Sequence, residues 1–163
     1  MTVMSDSPIG ADGPIPKAAL ALGWAGVLPF AAGAVGLFFV PLAGLSREDL
    51  TLPVLGYGAV ILSFLGGVRW GAALSIRHEP TQARALALAV VPSLVAWVAV
   101  ALHARPLIGL ALLALAHVIQ GLVDVRAAAA GELVGWYGRL RVQLASAATA
   151  ALVVAAAALA FRG

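Results

Sequence analysis

Five long apolar runs constrain this chain more than any other feature of its sequence. They fall near residues 18–40, 53–76, 85–102, 106–123 and 141–161. At about 1.5 Å of rise per residue, each is long enough to cross roughly 30 Å of hydrocarbon. Of the 163 residues, 63% are hydrophobic and 10% are charged, whereas a soluble domain carries about 25% charged residues. Lipid is therefore the solvent for most of the chain. The expected fold is all-α: a polytopic integral membrane protein, a bundle of five transmembrane helices.

The runs are separated by "PLAGLSREDLTLP", "RHEPTQAR", "HARP" and "DVRAAAAGELVGWYGRLR". The third separator is short. A continuous helix through it would nevertheless leave His103, Arg105 and Pro106 in mid-membrane, and proline breaks a helical ladder, so a hairpin is expected. The stretch 125–138 is too hydrophobic for a solvated linker and is expected to lie on the membrane surface. Residues 1–16, rich in Ser, Pro, Gly and Asp, lack hydrophobic periodicity and read as a disordered tail. That leaves 17–163 as the five-helix transmembrane domain. No basic stretch precedes the first run, which exceeds the apolar part of a signal peptide, so it is expected to remain as a helix.

The chain has no cysteine, which excludes disulfides, thiolate nucleophiles and Cys-based metal sites. Its three histidines, His78, His103 and His117, are too scattered for a zinc pattern, and no metal or other cofactor is implied. The small positive excess follows the loops, so it reads as an orientation signal and not as a nucleic-acid interface. No paired carboxylates, phosphate loop or nucleophile motif appears, and no catalytic residue is assigned. Arg47-Glu48-Asp49 and Arg77-His78-Glu79 read as solvated loop charges.

With five spans, Lys17, Arg77, Arg84, Arg126, Arg139 and Arg141 share one face, and Arg47, Arg105 and Arg162 lie on the other. The positive-inside rule then places the N-terminus in the cytoplasm and the C-terminus in the periplasm.

The tenth cation, Arg69, stands inside the second run, in "YGAVILSFLGGVRWGAAL". An arginine at the bilayer centre costs roughly 2.5–17 kcal/mol, depending on the assay. Arg69 precedes Arg77 by eight residues, or about 12 Å of helix, within reach of the interface for a long side chain. On the fourth run, His117, Gln120 and Asp124 follow an i, i+3, i+7 spacing and share one helix face at the same depth. The fifth run begins there with Trp136, Tyr137, Arg139 and Arg141. Topology thus gathers Arg69, Trp70, His117, Gln120, Asp124, Trp136, Tyr137, Arg139 and Arg141 into one half of the membrane.

Two readings of that cluster follow. In one, Arg69 pairs with Asp124 or with carbonyls, His117 bonds Gln120, and the network sets helix register. In the other, the basic and aromatic groups hold an anionic lipid or a quinone-like head group. Ser63, Gly67 and Gly71 recur every four residues, a face suited to close helix packing, and packing within the chain is expected. Pro29 and Pro92 should kink the first and third spans. Trp24, Trp70, Trp97, Trp136 and Tyr137 suit the interfacial belts.

The stretches "YGAVILSFLGGVRWG" and "WYGRLRVQL" resemble an uncharacterised membrane family, a domain of unknown function that includes mitochondrial transmembrane protein 69. The first is carried by Ser63, Phe64, Leu65, Gly66, Gly67 and Trp70. The second is carried by Trp136, Tyr137, Arg139, Leu140 and Arg141. The resemblance covers about residues 18–160. The family often has histidine where Arg69 stands, so the resemblance favours a fixed cation there over a titrating group. It implies an integral protein of the bacterial inner membrane and no particular activity.

The expected function is that of a non-enzymatic accessory or assembly subunit of a larger membrane protein complex, in contact with the lipid bilayer. The alternatives are a binder or carrier of an anionic lipid or quinone-like head group at the cytoplasmic side, and a small transporter or proton pathway.

Overall fold

The computed structural model describes residues 13–43 and 46–161. Most of the expected N-terminal tail, and Arg162, lie outside the described residues. Six helices follow in order: α1 (Lys17–Ala25), α2 (Leu28–Ala43), α3 (Arg47–Ala73), α4 (Glu79–Ala101), α5 (Pro106–Ala129) and α6 (Gly135–Ala160). Among the described residues there is no strand. Five segments are long and apolar enough to cross a membrane: Lys17–Phe39, Asp49–Ala73, Glu79–Ala101, Pro106–Ala129 and Gly135–Ala160. The chain is a multi-pass, all-helical membrane protein.

The first span is broken between α1 and α2. Pro29 occupies the second position of α2, where a missing N–H is tolerated. The Tyr57 hydroxyl on α3 donates to the Gly26 carbonyl at 2.8 Å and so holds the corner. Pro92 behaves differently. Helix α4 runs unbroken through it, and Pro92 is buried.

Most of the expected loops shrink. The separator at 41–52 is largely helical, because Ser46 and Asp49 close a capping box at the start of α3. Asp49 N–H donates to Ser46 Oγ at 3.1 Å, and Ser46 N–H donates to Asp49 Oδ2 at 2.8 Å. Asp49 is thus a cap and not merely a solvated loop charge, since each partner satisfies an orphan N–H of the other. The "HARP" hairpin is observed, with Pro106 opening α5. The stretch 125–138 does not form a helix in the membrane plane. It is the end of α5, a tight turn and the start of α6.

That turn is set by Gly131, whose φ is 74°. Gly131 N–H donates to the Ala128 carbonyl at 3.2 Å, and Glu132 N–H to the Ala127 carbonyl at 2.9 Å. This double closure requires a left-handed residue, which glycine adopts without steric penalty. It turns the chain sharply and leaves Glu132 facing α3.

Helices α2, α3, α5 and α6 form a closed ring, each packed on the next, and α4 lies outside against α3 and α5. The core joins Phe30, Leu37, Leu55, Leu62, Leu110, Leu113 and Leu152 with alanines from α4 and α6. Lipid is as apolar as leucine, so close van der Waals fit has to hold the helices together. Two glycines make the tightest backbone approaches. A Cβ on Gly66 would stand 2.6 Å from the Ala89 carbonyl oxygen of α4, and one on Gly109 would stand 2.8 Å from the Ala99 carbonyl oxygen. Gly67 and Gly71, by contrast, have nothing within 4 Å of such a carbon. The Ser63/Gly67/Gly71 face does not pack within the chain as expected. The seam lies one residue earlier, at Gly66, because the buried face of α3 follows Leu55, Leu62, Leu65 and Ala73.

Gly66→Ala is therefore expected to destabilise the fold by about 1–3 kcal/mol, the usual range for overpacking. Gly67→Ala should be neutral or slightly stabilising, since it fills no contact and favours helix. Unfolding in mixed micelles, read on both variants in parallel, separates the two positions.

Candidate functional site

The polar residues gather at the end of the bundle where α3 and α5 finish and α6 begins. The strongest contact is an ion pair between α5 and α6. Arg141 Nε donates to Asp124 Oδ2 at 2.8 Å, with Arg141 4% and Asp124 0% exposed. Gln120, one turn earlier on α5, donates to the other oxygen, Oδ1, at 2.9 Å. Both carboxylate oxygens are thereby satisfied, as a buried charge requires.

Arg69 does not form an ion pair with Asp124. Its Nη2 lies 3.2 Å from Glu132 Oε2 in the α5–α6 turn, with that glutamate side chain 58% exposed. Asp124 already has two donors within its own helix pair, and the Gly131 turn brings another carboxylate to Arg69. Glu132 was not singled out from the sequence. Its signal is local: it follows the glycine that ends α5, so it had to sit at the end of the bundle where Arg69 lies. His117 likewise does not bond Gln120. Its Nδ1 donates to the Leu113 carbonyl at 2.9 Å, one turn back on the same helix. Its ring meets Phe30 edge-on, with centroids 5.6 Å apart.

The remaining expected residues divide. The Tyr137 hydroxyl is buried without a partner among the described residues, and its ring packs edge-on against Trp136. Arg139 is directed outward and donates to the Gly13 carbonyl, tying the segment before α1 to α6. Trp70 is exposed on the outer surface of α3. The structure thus brings together Gln120, Asp124, Arg141 and His117 inside the ring, with Arg69 and Tyr137 beside them. Trp70 and Arg139 stand apart from that network.

Two spaces flank the network. On the outer side, a groove of about 340 Å³ runs between α3, α4 and α5. Its walls are apolar, including Leu88, Val91, Pro92, Leu115 and Ile119, and its polar residues are Arg69 and Gln120. On the inner side, a cavity of about 130 Å³ lies behind the α1–α2 corner and is bordered by His117 and Arg141. A further depression, about 760 Å³, surrounds the α4–α5 turn at the opposite end of the bundle and does not touch the network.

Removing one partner of the buried pair leaves the other charge unpaired in a low-dielectric interior. Asp124→Leu alone is expected to cost about 3–5 kcal/mol of stability, and Asp124→Leu combined with Arg141→Leu distinctly less than the sum of the single changes. A double-mutant cycle on unfolding free energies checks this, and strict additivity would show that the two residues act independently.

Comparison with known proteins places the chain among relatives. The chain is 40% identical over 86 residues to Transmembrane protein 69 of Xenopus tropicalis, a match covering 52% of this chain and 32% of that protein. The chain therefore matches about a third of the length of this curated relative. No solved structure matches the chain. Residues 15–157 match a family described as a protein of unknown function, DUF3429. With nearly all of its membrane-spanning part matched, the chain belongs to the DUF3429 family.

Proposed function

We propose that this protein binds an anionic membrane lipid, with the acyl chain in the α3–α4–α5 groove and the head group at Arg69. The observation that carries the reading is the groove itself: an apolar channel of about 340 Å³ whose polar residues, Arg69 and Gln120, come from the faces of α3 and α5 that border it. Glu132 occupies Arg69 only loosely. A half-exposed ion pair contributes about 0–1 kcal/mol, so an anionic head group can displace Glu132 without breaking the core. Gln120 has a fixed amide position because it also holds Asp124.

The distribution of Lys and Arg supports an orientation with the N-terminus on the cytoplasmic side, which in the inner membrane of a bacterium puts the C-terminus in the periplasm. The groove's charged end then opens in the cytoplasmic leaflet. Native mass spectrometry tests the reading, using wild type and Arg69→Leu from nanodiscs holding equal phosphatidylglycerol and phosphatidylcholine. Wild type is expected to retain phosphatidylglycerol preferentially, and Arg69→Leu to lose that preference by about tenfold while still folding. Equal retention of both lipids by wild type would overturn the proposal.

A second reading, a non-enzymatic accessory or assembly subunit, is favoured by the outward Ser63/Gly67/Gly71 face. Gly67 and Gly71 are exposed, and a Cβ on either would meet nothing within 4 Å, so there is room for a partner helix to approach closely. The chain has no native cysteine, so Gly67→Cys gives a single cross-linking site. One saturable adduct with a membrane protein in native membranes is expected, and no adduct would remove this reading.

A further inference from the structure

We infer that the inner cavity is a second binding site, for a phenolic hydroxyl entering from the bilayer. This inference is independent of the groove and of Arg69.

The hydrogen-bonding inventory specifies the chemistry. His117 is 1% exposed, and its Nδ1 donates to the Leu113 carbonyl. In a neutral imidazole, a protonated Nδ1 makes Nε2 an acceptor. That Nε2 has no partner among the described residues, and neither does Nη2 of the buried Arg141. The two side chains border the same cavity. The cavity is thus bordered by one residue with an unmet acceptor and one with an unmet charged donor, and a group that reaches both, donating to one and accepting from the other, satisfies them together. A hydroxyl does so; a ketone or ether can only accept. The charge balance favours a neutral ligand as well, because Asp124 already compensates Arg141 at 2.8 Å.

Size and lining specify what carries the hydroxyl. The cavity measures about 130 Å³, close to the ~150 Å³ apolar cavity that accepts a benzene ring. One water between the two polar groups has the partners it needs, but the further waters required to fill that volume do not, because the remaining wall is chiefly hydrocarbon, with Phe30 and Phe64 among it. An aromatic ring suits the wall, and its hydroxyl suits the two polar groups. Leu22 and Phe64 line the cavity and are also exposed on the outer surface. The mouth consequently opens to lipid between α1 and α3, and the ligand arrives as an amphipathic, phenol-bearing membrane molecule.

The full chain in nanodiscs, with protein-free nanodiscs as reference, is titrated with 4-fluorophenol, 4-fluoroanisole and fluorobenzene by ¹⁹F NMR. Saturable binding of 4-fluorophenol is expected, about tenfold tighter than 4-fluoroanisole, which corresponds to one net hydrogen bond. A phenol carrying a long alkyl tail should displace it. His117→Phe keeps an aromatic ring but removes the acceptor, and should abolish the preference for the phenol over the anisole. Equal affinities for the three probes in wild type would overturn the assignment, as would tighter binding of 4-fluoroanisole than of 4-fluorophenol. Failure of the alkylated phenol to compete would overturn entry from the bilayer. The probe series on wild type decides the matter even if the variant does not fold.

Discussion

The buried pair between Asp124 and Arg141 is the interaction around which this bundle is arranged. Two opposite charges on adjacent helices in lipid tolerate only a narrow range of axial and rotational offsets, because each is expensive when separated from the other. Holding α5 and α6 at one offset also determines where Gln120, His117 and the Gly131 turn must lie, since all are rigidly placed on those helices. Glu132 then falls opposite Arg69, and α3 is tied to the same end. Fit elsewhere is supplied by close backbone approaches at Gly66 and Gly109. These add packing without adding polarity, which is what a lipid solvent allows.

This arrangement separates the polar residues into two settings with different chemistry. Asp124 and Arg141 compensate each other's charge, Gln120 donates to the same carboxylate, and the three form a rigid partition within the ring. Arg69 and Glu132 meet at the surface, where water competes and exchange is easy. A fixed partition with an apolar groove on one side and a ring-sized cavity on the other is the basis of the two binding sites proposed, one for a charged and one for a neutral amphipathic molecule. The chemical distinction comes from what each side leaves unsatisfied. The groove offers a cation held by a replaceable partner, and the cavity is bordered by residues with one unmet donor and one unmet acceptor.

Much of this was legible in the sequence, for a physical reason. Lipid removes water as a backbone partner, so a run of some twenty apolar residues has few structural choices. The number of spans, the "HARP" hairpin and the convergence of Arg69, His117, Gln120, Asp124 and Arg141 at one end follow from counting residues between loops. Which of those residues bond to one another did not follow. Three candidate cations lie at nearly one depth, and helical periodicity gives each residue's depth and face without giving the neighbouring helix. Arg69 went to Glu132 because a left-handed glycine turned the chain toward it. His117 satisfied itself on its own helix, as a ring nitrogen one turn from a carbonyl readily does.

Alone, the sequence determined the solvent, the five crossings, the hairpins and the polar end of the bundle. These depend on local quantities: the length of an apolar run, the position of a proline, and the interval between charges. Only the tertiary structure decided that α4 stands outside a ring of four helices, and that Gly66 packs while Gly67 faces outward. It also decided that Arg141, and not Arg69, neutralises Asp124. Each of these depends on the rotation of one helix against another, and that rotation is the joint result of many small packing contacts with one costly buried charge.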